Sequence, residues 1–349
     1  QTSLCYKKLS MSKKNSSVNL KNGFRDYKEL SFIFLNFKNK LDVLKKKKYL
    51  VAVSGGPDSL ALVALSKAYS FCKKTKFYYV LIDHNIRKNS SLEAIKVKHL
   101  LKKKYLNLRV FINKKKITKN IQAEARNARY NILINFCKKN NIKIILTAHN
   151  LEDQVETFLM RLSRGSGLKG LSSMKPISKI NNQVSLFRPL LDTQKKFLIK
   201  ISKTIFGKYF RDPSNKNEKY LRTKVRNLKK PLEKSGIKYE KIFKSIQNLS
   251  YSKTTLERYL NNIFKELIKK VNGEILINFK KFIELNNDIK IDLINQSIKQ
   301  LKSNYYDLRS KKVENLIKSL DKKEFKKSTL GGCVFFKKGE DLCLKVEKH

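Results

Sequence analysis

An apolar run, Tyr49-Leu50-Val51-Ala52-Val53, passes directly into Ser54-Gly55-Gly56-Pro57-Asp58-Ser59, and a helical pattern from Leu60 to about Ser70 follows. A short buried strand, a glycine turn and a helix in that order leave little choice of fold. Two glycines take side chains out of the turn, so successive backbone N–H groups can converge on an anion, and the helix adds the positive end of its dipole. The segment reads as a phosphate cradle. The nucleotide loop that ends in Gly-Lys-Ser/Thr is excluded, because the acid Asp58 stands where that lysine would reach the β- and γ-phosphates. An acid beside phosphates implies a metal ion between them, which makes Asp58 a metal-ligand candidate.

The surrounding sequence supports a doubly wound α/β fold. Strand-like runs at 49–53, 77–82, 108–112, 143–147 and 184–187 alternate with helical patterns at 60–70, 91–104, 121–139 and 151–163. Such alternation predicts a parallel sheet covered on both faces, with ligands at the carboxyl ends of the strands near the point where strand order reverses. After Pro231 the texture changes. Leu256, Leu260, Ile263, Phe264, Leu267, Ile268 and Val271 follow a helical period, 289–301 and 313–320 repeat the style, and a terminal hairpin is expected around Lys338-Gly339. The expected organisation is a disordered basic leader over 1–25, a catalytic domain over 26–231 and a smaller, mainly helical domain over 232–349.

Composition narrows the class. With 41% apolar and 10% aromatic residues the chain can fill real cores, so it is not a basic tail. No stretch approaches the roughly 18 apolar residues of a membrane span, and no secretory signal is readable. Cys5, Cys72, Cys137, Cys333 and Cys343 are scattered without metal-ligand spacing, which fits a reducing cytoplasm. The net charge of +51 points to a polyanionic partner, although lysine supplies most of it and is spread along the whole chain. Arginine is more informative. Of 13 arginines, eight (Arg126, Arg129, Arg161, Arg164, Arg188, Arg211, Arg222 and Arg226) fall within about a hundred residues, and the planar guanidinium suits phosphate.

Further chemistry sits at predicted strand ends. Asp83-His84 closes the second strand and could hold ribose, adenine or metal. The helical stretch Glu124-Ala125-Arg126-x-x-Arg129-Tyr130 projects arginines that could stabilise negative charge as it develops, Arg126 above all. A buried strand delivers Thr147-Ala148-His149, Asn150 can cap the next helix, and Glu152 and Asp153 fall in its first turn. Capping accounts for the acids alone. His149 beside them suits Mg²⁺ on oxygen ligands, with an imidazole handling charge or a proton. The helix ends in Arg161 and Arg164, and the glycine-rich 165–170 is expected to be a mobile loop that could cover the site. If the stretch is helical, Arg222, Arg226, Lys229 and Lys230 would form one basic stripe against a nucleic-acid backbone.

The loop at 54–59 resembles that of the N-type ATP pyrophosphatases. Thr147-Ala148-His149-Asn150-Leu151-Glu152-Asp153-Gln154-x-Glu156-Thr157, Arg164-Gly165-Ser166-Gly167-Leu168-x-Gly170-Leu171 and Arg188-Pro189-Leu190-Leu191 resemble the tRNA(Ile)-lysidine synthetases, a family within that group. Glu124 to Tyr130 and Asp212-Pro213-Ser214-Asn215-x4-Tyr220-x-Arg222-x3-Arg226 share the resemblance. It departs at Leu81, where the family has His, at Arg211, where it has an acid, and at Thr223, where it has Asn.

The resemblance implies a ligase that uses ATP and Mg²⁺ to join free lysine to the wobble cytidine of tRNA(Ile) with a CAU anticodon, through an adenylated cytidine. It would give Ser54, Gly55, Gly56, Pro57, Asp58 and Ser59 the pyrophosphate, and Asp83 and His84 the rest of the nucleotide. Asp58 and Asp153 would hold the metal, Arg126 and His149 the charge of the adenylate, and Arg164, Arg222 and Arg226 the tRNA. Glu152 or Glu156 would bind the ammonium of lysine. No membrane partner is implied, and a homodimer stays open. A tRNA thiolation enzyme or a non-catalytic RNA-binding protein are the alternatives, the first lacking a cysteine beside any motif and the second leaving His149 and Asp153 without a role.

Overall fold

The structure, a computed structural model, describes residues 28–85, 89–113, 121–210, 220–302, 310–320 and 325–347. The basic leader and the Asp212-Pro213-Ser214-Asn215 stretch lie outside these residues. The chain divides into two compact units, Gln1–Leu249 and Ser250–His349.

The first unit opens with α1 (Lys28–Leu44), which buries Leu30, Ile33, Phe34, Phe37 and Leu41 along one face. There follow β1 (Lys48–Val53), α2 (Pro57–Cys72), β2 (Lys76–Asp83), α3 (Ser90–Lys102), β3 (Leu108–Ile112), α4 (Ile121–Lys139) and β4 (Ile144–Leu146). Next come α5 (Leu151–Leu162), α6 (Leu168–Leu171), β5 (Ile177–Lys179), β6 (Ser185–Phe187), α7 (Lys195–Phe206), α8 (Leu221–Asn227) and α9 (Lys229–Lys234). The sheet order is β3-β2-β1-β4-β6-β5, parallel throughout except for β5, which runs antiparallel on the edge.

Alternation along each strand divides the side chains between two cores. Tyr49, Val51, Val53, Tyr79, Leu81, Ile144 and Leu146 face a cluster filled by α1, α2, α3 and α7, whereas Leu50, Val80 and Ile145 face Leu133, Phe136 and Cys137 of α4. Apolar burial on both faces is why these strands read as near-continuous apolar runs. The chain moves outward from β1 to β2 and β3, then returns to the other side of β1 as β4. That reversal sets the loop after β1 beside the loop after β4, the crevice where such sheets bind ligands.

The second unit receives the end of α10 (Tyr239–Leu267). It continues with β7 (Ile268–Val271), β8 (Glu274–Asn278), α11 (Phe279–Ile283), α12 (Asn287–Leu301), α13 (Ser310–Leu320), β9 (Lys327–Leu330), β10 (Cys333–Lys338) and β11 (Asp341–Val346). The expected terminal hairpin is present as β10 and β11, within a five-stranded antiparallel sheet of order β7-β8-β11-β10-β9. One helix is shorter than its periodicity suggests. Ile268 and Val271 belong to β7, because Asn272-Gly273 takes φ of 49° and 79° and turns the chain back into β8. Two positive-φ residues define the two-residue hairpin turn that Asn-Gly favours, and that local signal outweighs the helical spacing before it.

Candidate active site

The loop between β1 and α2 is shaped by its own side chains. Gly55 has φ +82°, and a Cβ there would lie 2.5 Å from Val97 Cγ2 on α3, so only glycine fits. Ser59 Oγ donates to the Gly56 carbonyl (3.0 Å) and accepts from the Ser54 N–H (3.1 Å), and the Phe210 N–H donates to the Gly55 carbonyl (3.0 Å). Pro57 occupies the first helical turn, where its missing N–H costs nothing. The serines therefore brace the turn, and the N–H groups of the first turn of α2, which have no intrahelical acceptor, face the crevice end of the sheet.

Asp58 stands in that first turn. Its Oδ1 is buried and accepts no hydrogen bond among the described residues, while Oδ2 lies 3.8 Å from Lys195 Nζ. Burial pushes its carboxyl up to about 6; the Lys195 charge opposes the rise, and the charges of Asp153 and Glu152 reinforce it. An acid with one ammonium at 3.8 Å and one buried carboxylate oxygen without a hydrogen bond among the described residues, at the head of the glycine turn, fits a divalent cation. Among the described residues no three His, Cys, Asp or Glu side chains converge as a metal cluster. Mg²⁺ is commonly held by one or two carboxylates together with phosphate oxygens, so Asp58 meets that requirement.

After β4, Thr147 Oγ1 and His149 Nδ1 share a 2.9 Å hydrogen bond. With the hydroxyl as donor, the ring proton sits on Nε2. Burial, then the charges of Arg188, Arg222, Arg126 and Arg129, hold the imidazole down at about 3, so it is neutral. Asn150 caps α5 as expected: its Oδ1 accepts from the Asp153 N–H (3.0 Å) and its N–H donates to Asp153 Oδ2 (3.1 Å).

The acids of α5 meet the basic segment of α8 and α9. Glu156, only 2% exposed, accepts from Arg222 Nε (2.8 Å), Arg226 Nε (2.8 Å) and a second nitrogen of Arg226 (3.1 Å). Arg222 also donates to Asp153 Oδ1 (2.7 Å), and Lys229 Nζ to Glu152 Oε1 (3.2 Å). The other oxygen of Glu152 accepts the Lys195 N–H at the start of α7 (2.8 Å). The expected basic stripe is thus broken into two short helices, and three of its four cations are bound to carboxylates. They are not lost to solvent or ligand, since Arg222 and Arg226 remain 41% and 33% exposed at the side chain. Each oxygen of Asp153 accepts a single hydrogen bond and keeps a further lone pair, so Asp153 can still ligate a metal.

At the end of β2, Asp83 is filled from within by Ser91 Oγ (2.6 Å) and the Asn85 N–H (2.9 Å). Burial would raise its carboxyl, but these hydrogen bonds outweigh it and hold the group below its ordinary value. His84 Nε2 accepts from Arg129 Nε (3.3 Å), which leaves the ring proton on Nδ1, buried and without an acceptor among the described residues. Arg126 is exposed and lies over the Tyr130 ring, 5.0 Å from its centroid. Arg164 is exposed just beyond α5.

The segment expected as a mobile loop is anchored at its far end and just beyond it. Arg161 donates to the carbonyls of Gly170 (2.7 Å) and Ser173 (3.1 Å), and the Gln154 side chain exchanges hydrogen bonds with the Met174 backbone (2.9 and 2.8 Å). Two participants had no sequence signal of their own. Lys195 opens a helix 137 positions after Asp58 and lacks a motif, and the role of Glu152 as an acceptor for α7 depends on that distant helix start.

The PP-loop domain family matches residues 29–232. The tRNA(Ile)-lysidine synthase of Wolbachia pipientis wMel is 34% identical over 321 residues, covering 90% of this chain and 74% of that protein. That of Orientia tsutsugamushi is 34% identical over 297 residues, covering 82% and 67% respectively. Among solved structures, the U34-tRNA thiolase NcsA from Methanococcus maripaludis superposes with a TM-score of 0.53 at 18% identity, over 64% of this chain and 80% of that one. At that identity the likeness bears on the fold alone. Among the described residues no helix is long and apolar enough to cross a membrane.

Proposed function

The chain belongs to the tRNA(Ile)-lysidine synthase family of ATP-dependent PP-loop ligases, and from that premise we propose that it joins free lysine to C2 of the wobble cytidine in the CAU anticodon of tRNA(Ile). The modified tRNA would read AUA in place of AUG. The observation that carries the reading is the orphaned Oδ1 of Asp58, an uncompensated carboxylate oxygen at the head of an anion-binding turn.

The C2 carbonyl oxygen of cytidine is a poor leaving group, so it first attacks the α-phosphorus of ATP. The bond to the β-phosphate breaks, and pyrophosphate departs with the electron pair into the turn at Ser54–Ser59. The ε-amine of lysine, after losing a proton, then attacks C2, and AMP leaves. When bound, Mg²⁺ held by Asp58, with Asp153 as second ligand, neutralises phosphate charge. His149 donates a hydrogen bond from Nε2 to the adenylate, and Arg126 meets the charge developing at phosphorus. Asp83, held by its bonds to Ser91 and Asn85, and His84 beside it would meet the nucleoside end.

For the lysine ammonium, Glu152 is the better candidate. Both oxygens of Glu156 are taken by two guanidinium groups, whereas Glu152 Oε1 holds a single exchangeable ammonium, that of Lys229. Arg164, with the outer faces of Arg222 and Arg226, would meet the tRNA backbone, and the second unit would contribute to tRNA recognition in its own right. The test is ATP-dependent incorporation of labelled lysine into this tRNA. Asp58→Ala is expected to lower it on the order of 10²–10³-fold, the scale lost with a group that stabilises transition-state charge; a rate near that of the unsubstituted chain would contradict the assignment.

A further inference from the structure

The electropositive rim of the crevice contains an arginine that none of the roles above employs. Arg188 follows β6 directly, and β6 is the parallel neighbour of β4: the Thr147 N–H donates to the Phe187 carbonyl (3.0 Å), so Arg188 and His149 leave adjacent strands at the same edge. Arg188 is 8% exposed. One guanidinium nitrogen donates to the Lys175 carbonyl (2.8 Å) and to Ser178 Oγ (3.1 Å), both uncharged, while Nε is buried with no hydrogen bond. Arg188 has no carboxylate partner among the described residues, in contrast to Arg222 and Arg226.

Burying a guanidinium without a counter-ion costs more than two neutral hydrogen bonds return. Pinning the three-residue strand β5 could be done by any uncharged donor. The charge is the part that a structural role leaves unexplained; the planar fork suits an oxyanion, phosphate or carboxylate, and beside His149, to which the adenylate is assigned above, the oxyanion at hand is phosphate. Burial depresses the guanidinium below its ordinary value, with Tyr130 opposing and the Arg126 charge reinforcing the shift, which accords with a buried cation that has no counter-ion among the described residues.

We propose that Arg188 is a phosphate-binding catalytic residue that closes the anion site on the β6 side of His149. This rests on the functional reading above. Two phosphates have the right chemistry: the α-phosphate of ATP as it passes to cytidine, and the backbone phosphate of the nucleotide being modified.

The test uses the full chain with Arg188→Gln, Arg188→Lys and Ser178→Ala, reading single-turnover adenylation of tRNA without lysine, and tRNA affinity against salt. If Arg188 holds the α-phosphate, Arg188→Gln loses on the order of 10²–10³-fold in adenylation at saturating substrates. If it holds the tRNA phosphate, affinity falls and the salt slope drops by about one. In both cases Arg188→Lys recovers part of the loss, and Ser178→Ala, which removes only a strand contact, stays within about twofold. Arg188→Gln within about threefold of the unsubstituted chain in both readouts overturns the proposal, as does Ser178→Ala falling equally far. Should Arg188→Gln fail to fold, Arg188→Lys decides: a loss in either readout supports the proposal and unchanged values overturn it. An unsubstituted chain that forms no adenylate denies the functional reading instead, and Arg188 is then judged on tRNA affinity alone.

Discussion

At the residue scale the site works by withholding charge from some groups and saturating others. Asp58 has only Lys195, 3.8 Å away, to set against burial and two neighbouring carboxylates, whereas His149 is surrounded by cations, so the first favours a metal and the second stays neutral. The His149 shift has a measurable sign. Its folded value of about 3 lies below the ordinary 6.5, so the unfolded chain binds the proton more readily. The stability contributed is complete above pH 6.5 and is lost as pH falls toward 3. His149→Asn should flatten that acid loss in urea denaturation followed across pH, and an unchanged acid slope would show that His149 is not its source. Lysine recognition is also a residue-scale matter. Glu152→Gln should raise the KM for lysine about tenfold or more while adenylation without lysine is retained; an unchanged KM would remove Glu152 from that role.

At the scale of elements, the striking dependence is of α8 on α5. Glu156 binds two arginines from a distant segment, which makes it the joint that fixes the helix pair. Glu156→Gln should cost about 2–3 kcal/mol, less than the ~3–5 kcal/mol of a fully buried broken pair because the arginines are partly exposed. Denaturation midpoints of the single variant and of its combination with Arg226→Gln would show the coupling as non-additivity. The Asn272-Gly273 turn gives a simpler test: Gly273→Ala should cost about 1 kcal/mol, since φ of 79° is strained for any side chain, and no change in stability would contradict the turn assignment.

These elements also show what was legible beforehand. The strands of the first unit could be read because burial on both faces produces continuous apolar runs, and Asn150 because a polar residue before Glu152-Asp153 is a local capping signal. The partners of Arg222, Arg226 and Lys229 could not. A basic stripe looks the same whether it faces solvent, RNA or acids some 70 residues earlier, and only the packing of α8 on α5 decides. Strand β7 was legible in principle from Asn272-Gly273, but its two apolar residues, Ile268 and Val271, stand three apart, a spacing that fits a helical face and not the alternation of a strand. The glycines of 165–170 are a local signal, whereas Arg161 and Gln154, which anchor Gly170 and the residues just after it, act across turns of α5.

At the scale of the whole molecule, a charge of +51 gives this chain a strong attraction for any polyanion, so affinity alone carries little information about function. The salt dependence is more telling. Arg164→Gln should reduce the slope of log affinity for tRNA against log salt by roughly one while leaving ATP binding unchanged; an identical slope would take Arg164 out of the interface. One crevice first adenylates a tRNA base and then lets the amine of lysine displace the AMP. Mass analysis of the anticodon nucleoside after incubation with ATP and Mg²⁺ tests that sequence directly. A cytidine carrying AMP is expected when lysine is omitted, and a cytidine carrying lysine, with AMP released, when it is supplied. A sulfur-bearing nucleoside, or an unmodified cytidine under both conditions, would contradict it.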